Sequence, residues 1–231
     1  MRAALPALVA LVATPAPSCT HDAMLVLDGS GSMAEIGYDT GAATRIEDAR
    51  TALARALPQV EPFRRIGLIA YGPGGATSCD GITLHFPPID ASAAPAIAAA
   101  EALVPGGLTP LSASVERAAA LLSYRSEPAT VVLVTDGNET CGGTPCALGA
   151  RLAAEAADLT IHVIGFKATR DVFSWDNPDQ QIYAGDTVAK CLSDRTGGLF
   201  VDADTVDELV AALNATLGCV IGGLPVRRPL G

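Results

Sequence analysis

The run Thr130-Val131-Val132-Leu133-Val134-Thr135 carries no charge and shows no polar alternation, and β-branched residues dominate it. A strand of that composition has to be covered on both faces, which is the situation of a central strand in a parallel sheet. Parallel strands need long crossover connections, and amphipathic segments alternate with apolar runs along most of the chain. The pattern therefore predicts an α/β fold. A length of 231 residues, 49% of them hydrophobic, suits one domain with a sizeable core.

Taken in order, Ala23 to Asp28 reads as the first strand. Thr44-Arg45-Ile46-Glu47 reads as a capping box opening a helix with Ile46, Ala49, Leu53, Leu57 and Val60 on one face, and Pro58 and Pro62 mark its expected end. Ile66 to Tyr71 and Ile82 to Phe86 are the next strands, joined by Gly72-Pro73-Gly74-Gly75 as a hairpin, so the third is expected to be an antiparallel edge. Helices are predicted over 91–103, 111–122 and 147–157, with Pro110 tolerated at a first turn. Leu159 to Phe166 is a strand, and 167–185, with Trp175, reads as a long loop. Asp186 is expected to cap a helix ending at Gly197-Gly198. A short strand, Leu199 to Val201, and a helix starting at Asp204 complete the domain.

A formal net charge of -10 argues against nucleic acid or anionic membrane as a partner, since those ligands select clustered Lys and Arg. Residues 1–18 read as an export signal: Arg2, an apolar run from Ala3 to Ala13, then Ala16-Pro17-Ser18. The apolar run is well short of the ~20 residues a membrane span requires. Residues 19–220 form the expected domain and 221–231 a Pro/Gly-rich tail. The six cysteines (19, 79, 141, 146, 191, 219) lack a zinc pattern and agree with an oxidising compartment, periplasmic or extracellular. Sequence does not choose among their pairings. The working guess is Cys141 with Cys146 across Gly-Gly-Thr-Pro, Cys19 with Cys219 at the termini, and Cys79 with Cys191 by default. Lipidation of Cys19 is a rival use, but Ala16-Pro17-Ser18 is a poor version of that signal.

The first strand ends in Asp28-Gly29-Ser30-Gly31-Ser32. Oxygen-bearing side chains two apart, with glycines between them to free the backbone, suit a hard cation such as Mg²⁺, with Mn²⁺ or Ca²⁺ as alternatives. The same residues also read as a serine-rich turn with Ser32 capping a helix. Asp136 likewise ends an apolar strand. In an open parallel sheet ligands bind beyond the carboxyl ends of the strands, where strand order reverses, so adjacent strands would bring Asp28 and Asp136 to one crevice. Thr109 would enter from the same side; taken alone it reads as a helix N-cap, and Asp136 alone as a turn residue with Gly137. Glu139 and Asp39 fit either a supporting role or solvated turns. His21, His85 and His162 have no ligand or triad spacing.

Taken together, Asp28-x-Ser30-x-Ser32, Thr109 before a proline and helix, and Asp136 after a β-branched strand resemble the metal-ion-dependent adhesion site of von Willebrand factor type A domains. The resemblance spans about residues 22 to 218 and is similar to secreted bacterial members in which a cysteine pair follows Thr-Asp-Gly; the loop 167–185 is longer than the family usually has. It implies a three-layer Rossmann-like fold, with a six-stranded sheet of order 3-2-1-4-5-6 between helices. It implies Ser30, Ser32 and Thr109 as hydroxyl ligands and Asp28 and Asp136 as near or direct carboxylates. Two carboxylates balance a divalent ion while the hydroxyls add no charge, so the ion keeps a demand for one more anionic oxygen. The implied act is non-enzymatic binding of a protein that presents Asp or Glu. The alternatives are an enzyme using the Asp28 loop for hydrolysis or phosphotransfer, and a structural domain with a vestigial site. Against the enzyme, the second acid expected two residues after an aspartyl nucleophile is Ser30, and no phosphate-loop, dinucleotide or nucleophile-elbow motif is present.

Overall fold

The computed structural model describes residues 21–36, 42–168, 182–183 and 186–218. A six-stranded sheet forms its centre: β1 (Ala23–Asp28), β2 (Ile66–Tyr71), β3 (Thr83–Ile89), β4 (Pro128–Thr135) and β5 (Asp158–Phe166), with a two-stranded ribbon, β6 (Ile182–Tyr183) and β7 (Asp186–Thr187), before its last member, β8 (Phe200–Ala203). The sheet order is β3-β2-β1-β4-β5-β8, the expected 3-2-1-4-5-6 when its own strands are counted. All neighbours run parallel except β3, which is antiparallel to β2 at the edge.

The helices are α1 (Arg45–Val60), α2 (Ala93–Ala102), α3 (Leu111–Leu121), α4 (Pro145–Glu155), α5 (Lys190–Thr196) and α6 (Val206–Leu217). Because successive side chains of a strand point to opposite faces, β1 divides its residues between two cores. Ala23, Leu25 and Leu27 pack with α1, α2 and α6. Met24 and Val26 pack with α3, α4 and α5. Every residue of β1 is buried, as the apolar runs require.

Several boundaries differ from the sequence reading. Pro58 lies inside the last turn of α1, where Gln59 Nε2 donates to the Arg55 carbonyl at 2.7 Å and helps satisfy the helix end. Strand β3 continues through Pro87 and Pro88, which an edge strand tolerates because one side of it has no ladder to feed. Asp186 belongs to the β6–β7 ribbon and does not cap α5, whose N-cap is Ala189. Helix α6 starts at Val206, not at Asp204, and its cap is Thr205, which forms a full capping box with Glu208.

The cysteine pairing also differs. Among the described residues the disulfides are Cys79–Cys141 and Cys146–Cys191, not Cys141–Cys146 and Cys79–Cys191. The cause is the start of α4: with Pro145 at its first turn, Cys146 and Gly149 share one face. Gly149 faces the backbone of Cys191 and Leu192 on α5, so that face delivers Cys146 to α5 and leaves Cys141 to the β2–β3 loop. The proposed Cys19–Cys219 bridge, the signal segment, the 221–231 tail, Asp39 and Trp175 lie outside the described residues. Among the described residues no helix is long and apolar enough to cross a membrane.

Candidate metal centre

Strand register brings the two aspartates together. Leu27 on β1 pairs with Val134 on β4, so the two strands reach the same rim of the sheet in step, with Asp28 at the end of one and Asp136 just past the other. This is where strand order reverses, since β1 has β2 on one side and β4 on the other.

Asp28 is fully buried and its oxygens are taken: Oδ1 accepts from Ser30 N at 2.8 Å, and Oδ2 accepts from Tyr71 OH at 2.8 Å and Thr135 Oγ1 at 2.7 Å. Burial and the Asp28 carboxylate push the Tyr71 phenol well above its ordinary value, so it stays a donor. The glycine loop then turns into a short 3-10 helix, Gly31–Ala34, with Ser30 as an N-cap that makes no side-chain capping bond. Its hydroxyl instead meets Ser32 Oγ at 3.1 Å, and Ser32 Oγ donates to Asp136 Oδ1 at 2.8 Å. Four of the five residues singled out from the sequence are thus linked side chain to side chain or through one backbone amide.

Thr109, 6% exposed, joins them through backbone. In the segment before it, Gly106 N donates to Gly29 O at 2.9 Å, and Gly107 O accepts from Gly31 N at 3.1 Å. Gly107 has a φ of 65°, and a Cβ there would run into Gly72 O, so the loops approach this closely only with glycine. Thr109 is not the N-cap of α3; Pro110 is, with no capping bond of its own. The buried amide of Ser112 in the first turn of α3, which has no intrahelical partner, is satisfied by Glu139, whose Oε2 accepts it at 2.7 Å. A carboxylate at a helix N-terminus is favoured by the helix dipole, which gives Glu139 a supporting role one layer behind Thr109.

Three contributors went unnoticed in the sequence: Tyr71, Thr135 and Arg45. Arg45 Nη1 donates to Asp136 Oδ2 at 3.2 Å, Ser32 O at 2.9 Å and Glu35 Oε2 at 2.9 Å. Thr44-Arg45 was legible as a cap and first helical residue, but nothing local signals that Arg45 points into the crevice. Burial and the nearby Asp28 carboxylate nevertheless push the Asp136 carboxyl up to about 7, against the opposing pull of Ser32 and Arg45. Two buried carboxylates with hydroxyls between them form a donor set that fits a hard divalent cation, which would relieve that repulsion. Among the described residues no three or more His, Cys, Asp or Glu are placed so as to hold a metal ion by themselves, so any such site depends on hydroxyl oxygens.

The chain belongs to the von Willebrand factor type A domain family, which it matches over residues 23–139. It is similar to YwmD of Bacillus subtilis (strain 168), itself described as uncharacterized, with 27% identity over 199 residues and 81% of each chain covered. Among solved structures, the von Willebrand factor type A protein of Catenulispora acidiphila superposes with a TM-score of 0.59 at 17% identity, covering 85% of this chain and 42% of that one. The corresponding domain of the type V pili tip protein Mfa5 of Porphyromonas gingivalis gives 0.55 at 13% identity, covering 89% and 95%. These likenesses establish the fold.

Proposed function

We propose that the protein is an exported, cation-dependent protein-binding module, with Asp28, Ser30, Ser32, Thr109 and Asp136 as its metal-ion-dependent adhesion site. The observation that carries this reading is the chain of contacts Asp28–Ser30–Ser32–Asp136, which gathers two buried carboxylates and two hydroxyls at the switch point of the sheet. Bound there, Mg²⁺, or Mn²⁺ or Ca²⁺, would supply a hard positive centre that still accepts an outside oxygen. Ser30, Ser32 and Thr109 offer neutral oxygens, and Asp136 offers Oδ1 while Arg45 holds Oδ2. With so little negative charge spent on the ion, a Glu or Asp side chain of a partner protein is the ligand the site favours.

Binding is favoured over turnover because Asp28 is fully buried, with Oδ2 held by Tyr71 and Thr135 and only Oδ1, which accepts from Ser30 N, keeping a lone pair for an ion. That arrangement fixes the carboxylate in place and keeps it from reaching a substrate as a nucleophile. The pilus-tip description of Mfa5 supports an adhesive role, and the two disulfides support an oxidising compartment. The test is thermal melting in EDTA and in Mg²⁺, for the wild type and for Asp28→Asn. Mg²⁺ at a hundred times its dissociation constant should add ~2.7 kcal/mol to the wild type and nothing to the variant. Superimposable wild-type curves with and without metal would refute the reading.

A further inference from the structure

We infer that the Cys79–Cys141 disulfide is the positioning element of the metal centre, because it closes a clamp on the peptide that presents Thr109; this rests on the metal-site reading above. Two loops from opposite sides of the crevice grip that peptide. From the β2–β3 loop, Ser78 O accepts from Leu108 N at 3.0 Å. From the β4–α4 loop, Thr140 Oγ1 accepts from Thr109 N at 2.8 Å, and Thr140 N donates back to Thr109 O at 3.1 Å. The next residue in each gripping loop is a cysteine, and the two are bonded, with their Cα atoms 5.8 Å apart.

The grip is otherwise weak. Thr140 is exposed, so its bonds to Thr109 compete with water and contribute little net free energy. Neither loop is part of a strand or helix, and each is held by a few turn bonds of its own, such as Ser78 N to Gly75 O at 2.8 Å in one and Cys141 N to Glu139 Oε1 at 2.8 Å in the other, so local opening of either costs little. The covalent link changes this: residues 78 and 140 must release together or not at all. Glu139 extends the grip inward, accepting Cys141 N at 2.8 Å on Oε1 and Ser112 N on Oε2, so the disulfide, the clamp and the first turn of α3 form one connected unit. The same peptide is bonded to Gly29 and Gly31 on its other side, so its placement sets how Thr109 stands to Ser30 and Ser32. The second disulfide, Cys146–Cys191, ties α4 to α5 five residues past Cys141 and bonds neither Ser78 nor Thr140. It is an internal control for mere stapling.

The experiment compares Mg²⁺ affinity, by isothermal titration with the metal alone below each melting temperature, in the wild type, Cys79→Ser/Cys141→Ser and Cys146→Ser/Cys191→Ser. Both double variants should melt lower. Only the first should bind Mg²⁺ more weakly, by about tenfold or more, the size of effect seen when a group behind a metal ligand is removed. Thr140→Val, which keeps the disulfide and deletes the hydroxyl that holds Thr109 N, should weaken Mg²⁺ in the same direction, and it decides the matter if the first double variant does not fold. Wild-type affinity in Thr140→Val and in Cys79→Ser/Cys141→Ser would overturn the clamp while leaving the metal site standing. A wild type that binds no Mg²⁺ would overturn the site and the clamp with it.

Discussion

Asp136 is where the energetics of the site concentrate. Its carboxyl is fully buried, lies near Asp28, and has the Arg45 guanidinium against Oδ2. Removing one partner of a buried charge pair leaves the other uncompensated, which typically costs about 3 kcal/mol or more. The Glu35 arm of the same guanidinium, at 64% exposed, adds little because solvent screens it. Arg45→Met should therefore destabilise the protein by ~3 kcal/mol in urea melts containing EDTA. Mg²⁺ should recover a larger share of stability in the variant than it adds to the wild type, since the ion supplies the positive charge that was lost. Equal Mg²⁺ increments in the two proteins would show that Arg45 and the ion do not share Asp136. Asp28, Ser30, Ser32 and Asp136 were legible because the signal is local: a strand, then oxygens at alternate positions. Tyr71 and Thr135 were not, because each looks like the last residue of an apolar strand, and only the register that sets Asp28 opposite Tyr71 turns their hydroxyls onto a carboxylate.

The same distinction holds for elements. The strands and the face of α1 could be read from periodicity, whereas helix starts that depend on which oxygen reaches which amide could not. The final helix was expected to start at Asp204, and it starts two residues later because the Thr205 side chain accepts from Glu208 N while Glu208 returns to the cap. The junction of β5 and β8 carries a pH prediction of this kind. His162 on β5 accepts the Leu199 amide on Nδ1 at 3.0 Å, an interaction only the neutral ring can make. Burial, and secondarily the Arg64 charge, lower its pKa to about 4 from an unperturbed 6.5. Above that unperturbed value the ring is neutral in both states and contributes no slope. Between pH 6.5 and about 4 the unfolded chain takes up a proton that the folded one refuses, so stability falls with falling pH by at most ~1.4 kcal/mol per unit. Below about 4 that slope ends. His162→Asn, whose amide oxygen can take the place of Nδ1, should flatten the profile over this window in urea melts taken at successive pH values. An undiminished slope would place the proton uptake elsewhere.

For the whole molecule, the α/β class followed from apolar runs alternating with helices and the sheet order from the family resemblance, but the disulfide network followed from neither, because pairing depends on which loops the fold brings to one rim. What the fold produces is two staples in series: Cys79–Cys141 closes a separation of 62 residues and Cys146–Cys191 one of 45. The two loops do not overlap, so the entropy each removes from the unfolded chain adds to the other's. Loop closure of that size is worth ~4 kcal/mol per bridge, an upper figure when the unfolded chain retains structure. Domains of this size have total stabilities of roughly 5–15 kcal/mol, so the two bridges together carry a large fraction of the whole. Reduction with dithiothreitol should accordingly lower the urea midpoint by half or more, without metal and with it, and re-oxidation should restore it. A midpoint that barely moves would mean that the two cores on either side of the sheet suffice alone, and would remove the strongest physical support for export. If the midpoint does collapse, the chain keeps its fold only where thiols stay oxidised, which is the setting an adhesive module outside the cytoplasm meets.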